Sequence, residues 1–243
     1  MQRRPVVDHE KEPATTSPDP GTTPPVIVWL RRDLRLADNP SLLAAADAAL
    51  DRRSRLLPVH VWEPRERRVW TPGAAARWWL WHSLRSLDAE LRRHGSRLLV
   101  ERGDPVDRLI AIAGEVAAGA VLWAEGLDPD ETADDAALQA GLRARGVEAM
   151  LLPQVNLLAA PPSVRTKEGR PYTVFTPFWR ARLAAGPPGD PLPPPRSLPQ
   201  APADPPGCPL ADLEPEAVRP WASEFGQVWD PGEPGAHRRL ESF

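Results

Sequence analysis

A chain of 243 residues with 42% hydrophobic and 26% charged residues is long enough to bury a real core, as one large domain or two small ones. Its net charge of −3 argues against a stand-alone DNA-binding protein, which usually carries a clear basic excess. Cys208 is the single cysteine, which excludes an intrachain disulfide and a cysteine-based metal cluster.

The sequence also lacks the signals of membrane insertion and secretion. No apolar run approaches the roughly 20 residues that span a bilayer, and the basic residues Arg3 and Arg4 precede no apolar signal segment. We therefore expect a cytoplasmic protein without a membrane partner. We also expect no metal site, because the five histidines are scattered without ligand spacing: His9, His60, His82, His94 and His237.

The 32 prolines are unevenly distributed and divide the chain. Residues 1–24 have no periodic apolar pattern and are predicted to be a disordered, proline-rich tail. Residues 187–220 are also proline-rich, and since proline lacks an amide donor and fixes φ, we expect no regular helix or strand there. The predicted compact domain is thus 25–183, followed by an extended linker at 184–227.

Within 25–183, short apolar segments alternate with helical segments. The strands are predicted at 26–30, 56–62, 97–101, 120–124 and 147–152. The helices are predicted at 39–50, 73–94, 104–119 and 130–146. This β-α-β-α alternation with nearly continuous apolar strands predicts an α/β fold, a Rossmann-like, doubly wound, five-stranded parallel sheet covered by helices on both faces.

In an open parallel sheet, ligands bind beyond the carboxyl ends of the strands. The loop after the first strand lies at that edge and carries the candidate ligand-binding residues Arg32, Asp33 and Asp38. An alternative of about equal weight is that Arg32, Asp33 and Arg35 pair with each other and with nearby carboxylates, which would fix the loop. The chain contains neither a G-x-G-x-x-G nor a G-x-x-x-x-G-K-[ST] phosphate-binding motif.

Four segments, in order, carry a family resemblance. They are "WLRRDLRLADNP" (29–40), "SLRSLDAELRRHGSRLLVERGDP" (83–105), "SVRTKEGRPYTVFTPFWRA" (163–181) and "VWDPGEPGAHRRLESF" (228–243). Together they resemble the photolyase/cryptochrome family, with Leu30 replacing a usual Phe in the first. The resemblance covers residues 25–243 and identifies the compact part as that family's N-terminal α/β domain.

The resemblance implies that 228–243 begins the family's helical FAD-binding domain, whose remainder is missing. FAD, the electron-transfer tryptophans and most DNA contacts belong to that domain in the family. We therefore expect no catalytic residue in this chain and no repair by it alone. Its expected function is that of the N-terminal part of a deoxyribodipyrimidine photo-lyase, which repairs cyclobutane pyrimidine dimers under light. Its expected partners are a missing or separately encoded FAD-binding domain and, only through that domain, UV-damaged DNA.

The family's α/β domain often holds an antenna: methenyltetrahydrofolate, 8-hydroxy-5-deazaflavin or FMN. Asp130 stands where folate-binding members carry Asn, and Glu131 matches their pterin-contacting Glu, so both join the candidate antenna cleft. Asp134 replaces a family Arg, which removes a cation from the site. The favoured alternative is that these carboxylates simply meet the positive end of a helix dipole.

Two other functions stay open on the sequence. One is a chromophore-free protein-interaction module, and the other is a fragment of a cryptochrome-like blue-light receptor. Trp78, Trp79 and Trp81 lie in a predicted helix of the α/β domain. Packing in the core is their expected role, and contact of one of them with a neighbouring element is the alternative.

Overall fold

A computed structural model of the chain describes residues 23–64, 67, 72–153, 164–187, 189–202, 207–213 and 220–243. All but the last two residues of the predicted disordered tail lie outside this part of the chain. No helix in these ranges combines the length and the hydropathy needed to cross a membrane.

Five strands form one parallel sheet, which confirms the predicted fold class. The strands are β1 (Val26–Trp29), β2 (Leu56–Trp62), β3 (Leu99–Arg102), β4 (Ala120–Ala124) and β5 (Glu148–Leu152). Their order is β3-β2-β1-β4-β5, and every pairing is parallel. The chain therefore extends the sheet first to one side of β1 and then to the other. This reversal creates a switch point between β1 and β4.

Helices cover both faces of the sheet. They are α1 (Pro40–Asp51), α2 (Ala74–Arg93), α3 (Pro105–Glu115), α4 (Pro129–Arg143), α5 (Phe175–Ala184), α6 (Pro220–Val228) and α7 (Glu233–Glu241). Leucines and alanines of α1 and α2 pack on one face of the sheet, and those of α3 and α4 pack on the other. Asn39, Asp104 and Asp128 cap α1, α3 and α4 with their side chains, each directly before a proline.

The proline-rich segment runs over the surface of the α/β domain. The Cys208 amide donates to the Val100 carbonyl at 2.9 Å, which covers the outer edge of β3. The Trp81 indole N–H donates to the Leu210 carbonyl at 2.9 Å. The segment is not wholly extended as predicted, because it contains a 3₁₀ turn at Leu210–Leu213 and the start of α6. Pro220 is tolerated as the first residue of α6, and no proline follows until residue 231.

The two C-terminal helices pack against α2. The ring centroids of Trp78 and Phe225 are 5.5 Å apart, and those of Trp79 and Trp229 are 6.0 Å apart. Both pairs pack edge to face. Trp81 is buried in the core as expected, whereas Trp79 is partly exposed. Trp78 and Trp79 thus contact Phe225 of α6 and Trp229, which lies between α6 and α7.

Candidate ligand-binding site

A cavity of about 1110 Å³ opens over the carboxyl ends of β1, β2 and β4. Its position coincides with the switch point of the sheet, where open α/β folds bind ligands. Three tryptophans, Trp29, Trp62 and Trp79, contribute aromatic surface. Charged side chains from the loops after β1 and β4 and from α7 complete the lining.

The loop after β1 is held in one conformation by its own polar groups. The Asn39 amide nitrogen donates to the carbonyls of Asp33 and Arg35, each at 2.9 Å, while its oxygen accepts from the Leu42 amide. Arg35 donates to the carbonyls of Ala37 and Asp38. The loop therefore presents a preorganised wall to the cavity.

The C-terminal helix α7 also holds this loop. The two carboxylate oxygens of Glu233 accept from the backbone amides of Leu36 at 2.6 Å and Ala37 at 3.0 Å. The Leu192 amide donates to the Asp38 carboxylate at 3.2 Å, and the Asp38 amide donates to the Leu192 carbonyl. Glu233 lines the cavity, so α7 closes one of its sides.

A buried ion pair lies between the β1 loop and α4. The Arg31 guanidinium is 3.0 Å from the Asp135 carboxylate, and their side chains are only 9% and 6% exposed. Asp135 also accepts from the Trp123 indole at 2.8 Å and from the Gly126 amide at 2.6 Å. Arg31 stacks over Trp29, with its guanidinium carbon 4.4 Å from the ring centroid. This pair ties together the ends of β1 and β4, where the cavity opens.

A second ion pair lies at the rim of the cavity. The Arg32 guanidinium donates to Glu131 at 2.8 Å and to Asp128 at 3.1 Å. Glu131 also accepts from the Leu127 amide at 3.1 Å, and the Asp128 side chain accepts from the Glu131 amide. The carboxylate of Glu131 is therefore neutralised by a side-chain cation as well as placed in the first turn of α4.

Asp134 is compensated by a cation from another loop. Arg67 donates to Asp134 at 2.5 Å, to Asp104 at 2.6 Å and to Glu63 at 3.2 Å. Burial lowers the pKa of Arg67, but hydrogen bonds to Asp134 and Asp104 outweigh it and raise that pKa above its usual value. For Asp104 the two effects have the opposite signs. Burial raises its pKa, but its interaction with Arg67 and its other hydrogen bonds together outweigh burial and hold the pKa below its ordinary value. Arg67 thus places a guanidinium beside Asp134, the position at which the family resemblance suggests an arginine.

His60 is a buried polar residue at the cavity wall. Its Nδ1 lies 2.8 Å from the Leu30 carbonyl oxygen, and its Nε2 has no hydrogen-bond partner among the described residues. Burial lowers the pKa of His60 below its ordinary value, so the ring is neutral at pH 7. A neutral ring that donates through Nδ1 carries a free lone pair on Nε2.

The structure separates the five residues that the sequence proposes for the cleft. Arg32, Asp130 and Glu131 line the cavity. Asp33 lies buried beneath the loop, where it accepts from the Arg31 amide at 3.1 Å and burial raises its pKa. Asp38 faces the proline-rich segment. Both of these residues are placed to shape the loop.

Four further residues lie in or beside the cavity without having been proposed from the sequence: Arg31, His60, Arg67 and Glu233. His60 offered a signal, since it is the one polar residue in an otherwise apolar predicted strand, 56–62. Arg31 and Arg67 belong to runs of several arginines in which the sequence does not distinguish a buried member. Glu233 reaches the loop across 196 residues of chain, which no local pattern encodes.

Comparison with known proteins gives consistent matches. A family model described as DNA photolyase matches residues 26–199. A deoxyribodipyrimidine photo-lyase of Agrobacterium fabrum is 38% identical over 91% of this chain and 45% of its own length. Cryptochrome-1 of Arabidopsis thaliana is 32% identical over 89% of this chain and 31% of its own length. A crystal structure of a class III photolyase from Agrobacterium tumefaciens superimposes with a TM-score of 0.81 at 38% identity, covering 94% of this chain and 46% of that one. The chain thus spans less than half the length of these relatives.

Proposed function

We propose that this chain, which belongs to the DNA photolyase family and matches its N-terminal α/β domain, forms the light-harvesting part of a light-dependent DNA photolyase. The observation that carries the proposal is the cavity of about 1110 Å³ at the switch point of the sheet. In this proposal the cavity holds an antenna chromophore.

The residues of the cavity fit a flat heterocyclic molecule. Tryptophan rings and the side chains of Leu34 and Leu80 offer apolar surface, which is what most ligand pockets present. Two residues of the lining, Arg31 and His60, each have a buried nitrogen (Nη1 and Nε2) without a hydrogen-bond partner within the described part of the chain. Such atoms favour a ligand that brings its own donors and acceptors.

Methenyltetrahydrofolate, 8-hydroxy-5-deazaflavin and FMN are the antenna candidates. The bound chromophore would absorb light and pass the excitation on to FAD. In this proposal Arg31 holds the ends of β1 and β4 together, and Arg32 and Glu131 form the rim of the cavity. Asp130 lines the cavity beside Glu131. Glu233 fixes the loop that carries Asp33 and Asp38.

In this proposal FAD and damaged DNA engage a further, helical portion, and residues 1–243 span less than half the length of the relatives. Several large apolar side chains remain exposed on α5 and the C-terminal helices, and they offer a docking surface for such a portion. They are Phe175, Trp179, Leu183, Val228 and Leu240. We propose that residues 184–227 connect the α/β domain to that helical portion, which begins near residue 228.

Dimer repair tests this division of labour. UV-irradiated oligothymidylate is mixed with the purified chain, FAD and a reductant under blue light, and the loss of cyclobutane dimers is measured by chromatography. We expect no light-dependent loss with this chain alone, and loss when the FAD-binding portion of the Agrobacterium photolyase is added or fused after residue 243. The full-length Agrobacterium enzyme is the positive control. Light-dependent repair by this chain alone would contradict the proposal.

The same exposed apolar residues favour a second candidate function, a protein-interaction module or part of a cryptochrome-like blue-light receptor. The similarity to Cryptochrome-1 of Arabidopsis thaliana is compatible with that role. An absorption spectrum of the protein purified from its native host separates the candidates. A near-ultraviolet or blue band favours the antenna, whereas tryptophan absorption alone favours the interaction module.

A further inference from the structure

We propose that His60 selects the ligand of the cavity, by accepting at Nε2 a hydrogen bond from a ring N–H of a flat heteroaromatic molecule. The inference rests on the proposed function, because it concerns the same cavity. The inference assigns a role to a residue that neither the motifs nor the comparisons single out. It also names the chemical group that this residue recognises, a ring N–H.

The tautomer of His60 follows from its one hydrogen bond. Nδ1 lies 2.8 Å from the Leu30 carbonyl oxygen, which can only accept, so Nδ1 carries the proton. Leu30 is the residue that follows β1, and its amide donates in turn to the Val59 carbonyl of β2. The ring is therefore anchored between two central strands.

The remaining nitrogen of His60 is an acceptor without a donor. His60 is 5% exposed, lines the cavity, and finds no partner for Nε2 among the residues that the structure describes. Burial disfavours the imidazolium, so a proton from solvent does not satisfy this nitrogen at neutral pH. A buried acceptor left unpaired carries a desolvation penalty, which a ligand N–H would remove.

The surroundings of His60 restrict the shape of that ligand. Trp62, Leu80 and Leu34 line the same cavity and belong to one apolar cluster, so they present apolar surface. Arg77 stacks on the Trp62 ring, with its guanidinium carbon 4.4 Å from the ring centroid. A flat aromatic ring with an N–H at its edge satisfies both the apolar walls and the acceptor. Flavins, deazaflavins and pterins share such an N–H beside a ring carbonyl.

Two substitutions separate the structural bond of His60 from its ligand bond. In His60→Asn, the amide nitrogen can replace Nδ1 and donate to Leu30, but nothing stands at the position of Nε2. In His60→Gln, the longer amide places its oxygen near Nε2 and gives up the bond to Leu30. Both variants are titrated with FMN, 8-hydroxy-5-deazaflavin and methenyltetrahydrofolate by fluorescence, and thermal unfolding is measured in parallel.

We expect His60→Asn to bind the chromophore at least about tenfold more weakly than wild type while its Tm stays close to the wild-type value. We expect His60→Gln to keep affinity within about threefold, with a lower Tm. FMN methylated at the ring N–H should bind wild type more weakly than FMN does, and His60→Asn should not distinguish the two. Nitrogen NMR of the imidazole should show an unprotonated Nε2 at pH 7.

The outcomes distinguish the two proposals. If wild type binds a chromophore and His60→Asn binds it equally well, the assignment of His60 is wrong and the antenna proposal stands. An imidazole protonated at Nε2 at pH 7 would also overturn the assignment. If folded wild type binds none of the three chromophores, both proposals fall together.

Discussion

Replacing Asp135 with alanine is expected to lower the free energy of unfolding by about 3–5 kcal/mol, because it leaves a buried charge without its partner. The carboxylate lies 3.0 Å from the Arg31 guanidinium, and both side chains are almost fully buried. It also accepts from the Trp123 indole and the Gly126 amide. After the substitution the Trp123 indole and the Gly126 amide lose their acceptor. The Arg31 guanidinium still donates to the Ala124 carbonyl, but it loses its counter-charge in a region of low dielectric.

Urea unfolding followed by tryptophan fluorescence measures this loss. Asp107→Ala is the matched control, since Asp107 is an exposed carboxylate in the first turn of α3. Its replacement should cost less than about 1 kcal/mol, as expected for a dipole contact at the surface. Equal effects of the two substitutions would show that the Arg31–Asp135 pair does not hold the ends of β1 and β4 together.

Replacing Arg67 with alanine is expected to cost about 3 kcal/mol, the lower end of the range for breaking a buried ion pair. The Arg67 and Asp134 side chains are 16% and 11% exposed, but Asp104 and Glu63 reach solvent more easily. Without Arg67, the three carboxylates lose the guanidinium that they share and repel one another more strongly. The repulsion adds to the loss of three charge-assisted hydrogen bonds.

Three variants test the source of that loss. Arg67→Lys should recover only part of it, because an ammonium cannot present the fork that reaches three carboxylates. The double variant Arg67→Ala, Asp134→Asn should be more stable than the two single losses predict, since the neutral amide removes the charge that Arg67 compensates. Arg92→Ala removes a 61% exposed arginine paired with Asp88 and should cost less than about 1 kcal/mol. Additive losses in the double variant would contradict the proposed pairing of Arg67 with Asp134.

The fold could be predicted from the sequence because its signals are local. Each strand is a short apolar run, and each of the caps Asn39, Asp104 and Asp128 stands directly before a proline. The right-handed rule for parallel crossovers predicts the hand of each connection, whereas the strand order β3-β2-β1-β4-β5 is set by tertiary pairing. The sequence predicts an extended linker where α6 begins, because the segment before Pro220 is rich in proline. The stretch after Pro220, however, is free of proline up to residue 230 and can form a helix.

The candidate site could be predicted only in part, because its contacts join residues far apart in the chain. The sequence places Arg32 and Glu131 at the same edge of the sheet, and they meet there across 99 residues. Whether they bind a ligand, fix the loop or do both remains a prediction. The bonds from Glu233 to the β1 loop and from Arg67 to Asp134 depend on tertiary packing that propensity does not encode.

Asp134 illustrates how a substitution can be compensated elsewhere. The resemblance suggests an arginine at this position, and an isolated change to aspartate would place an unpaired acid beside the cleft. Here Arg67, from the loop after β2, supplies the guanidinium instead. The site keeps a cation, although it is contributed by a different element.

The central claim is that the cavity over β1, β2 and β4 holds an antenna chromophore, and equilibrium dialysis of the folded chain against each candidate tests it most directly. We predict that one of methenyltetrahydrofolate, 8-hydroxy-5-deazaflavin and FMN binds in a one-to-one ratio, with a shifted absorption band and quenched tryptophan fluorescence from the cavity walls. A correctly folded chain that retains none of the three, even at millimolar concentration, would contradict the claim.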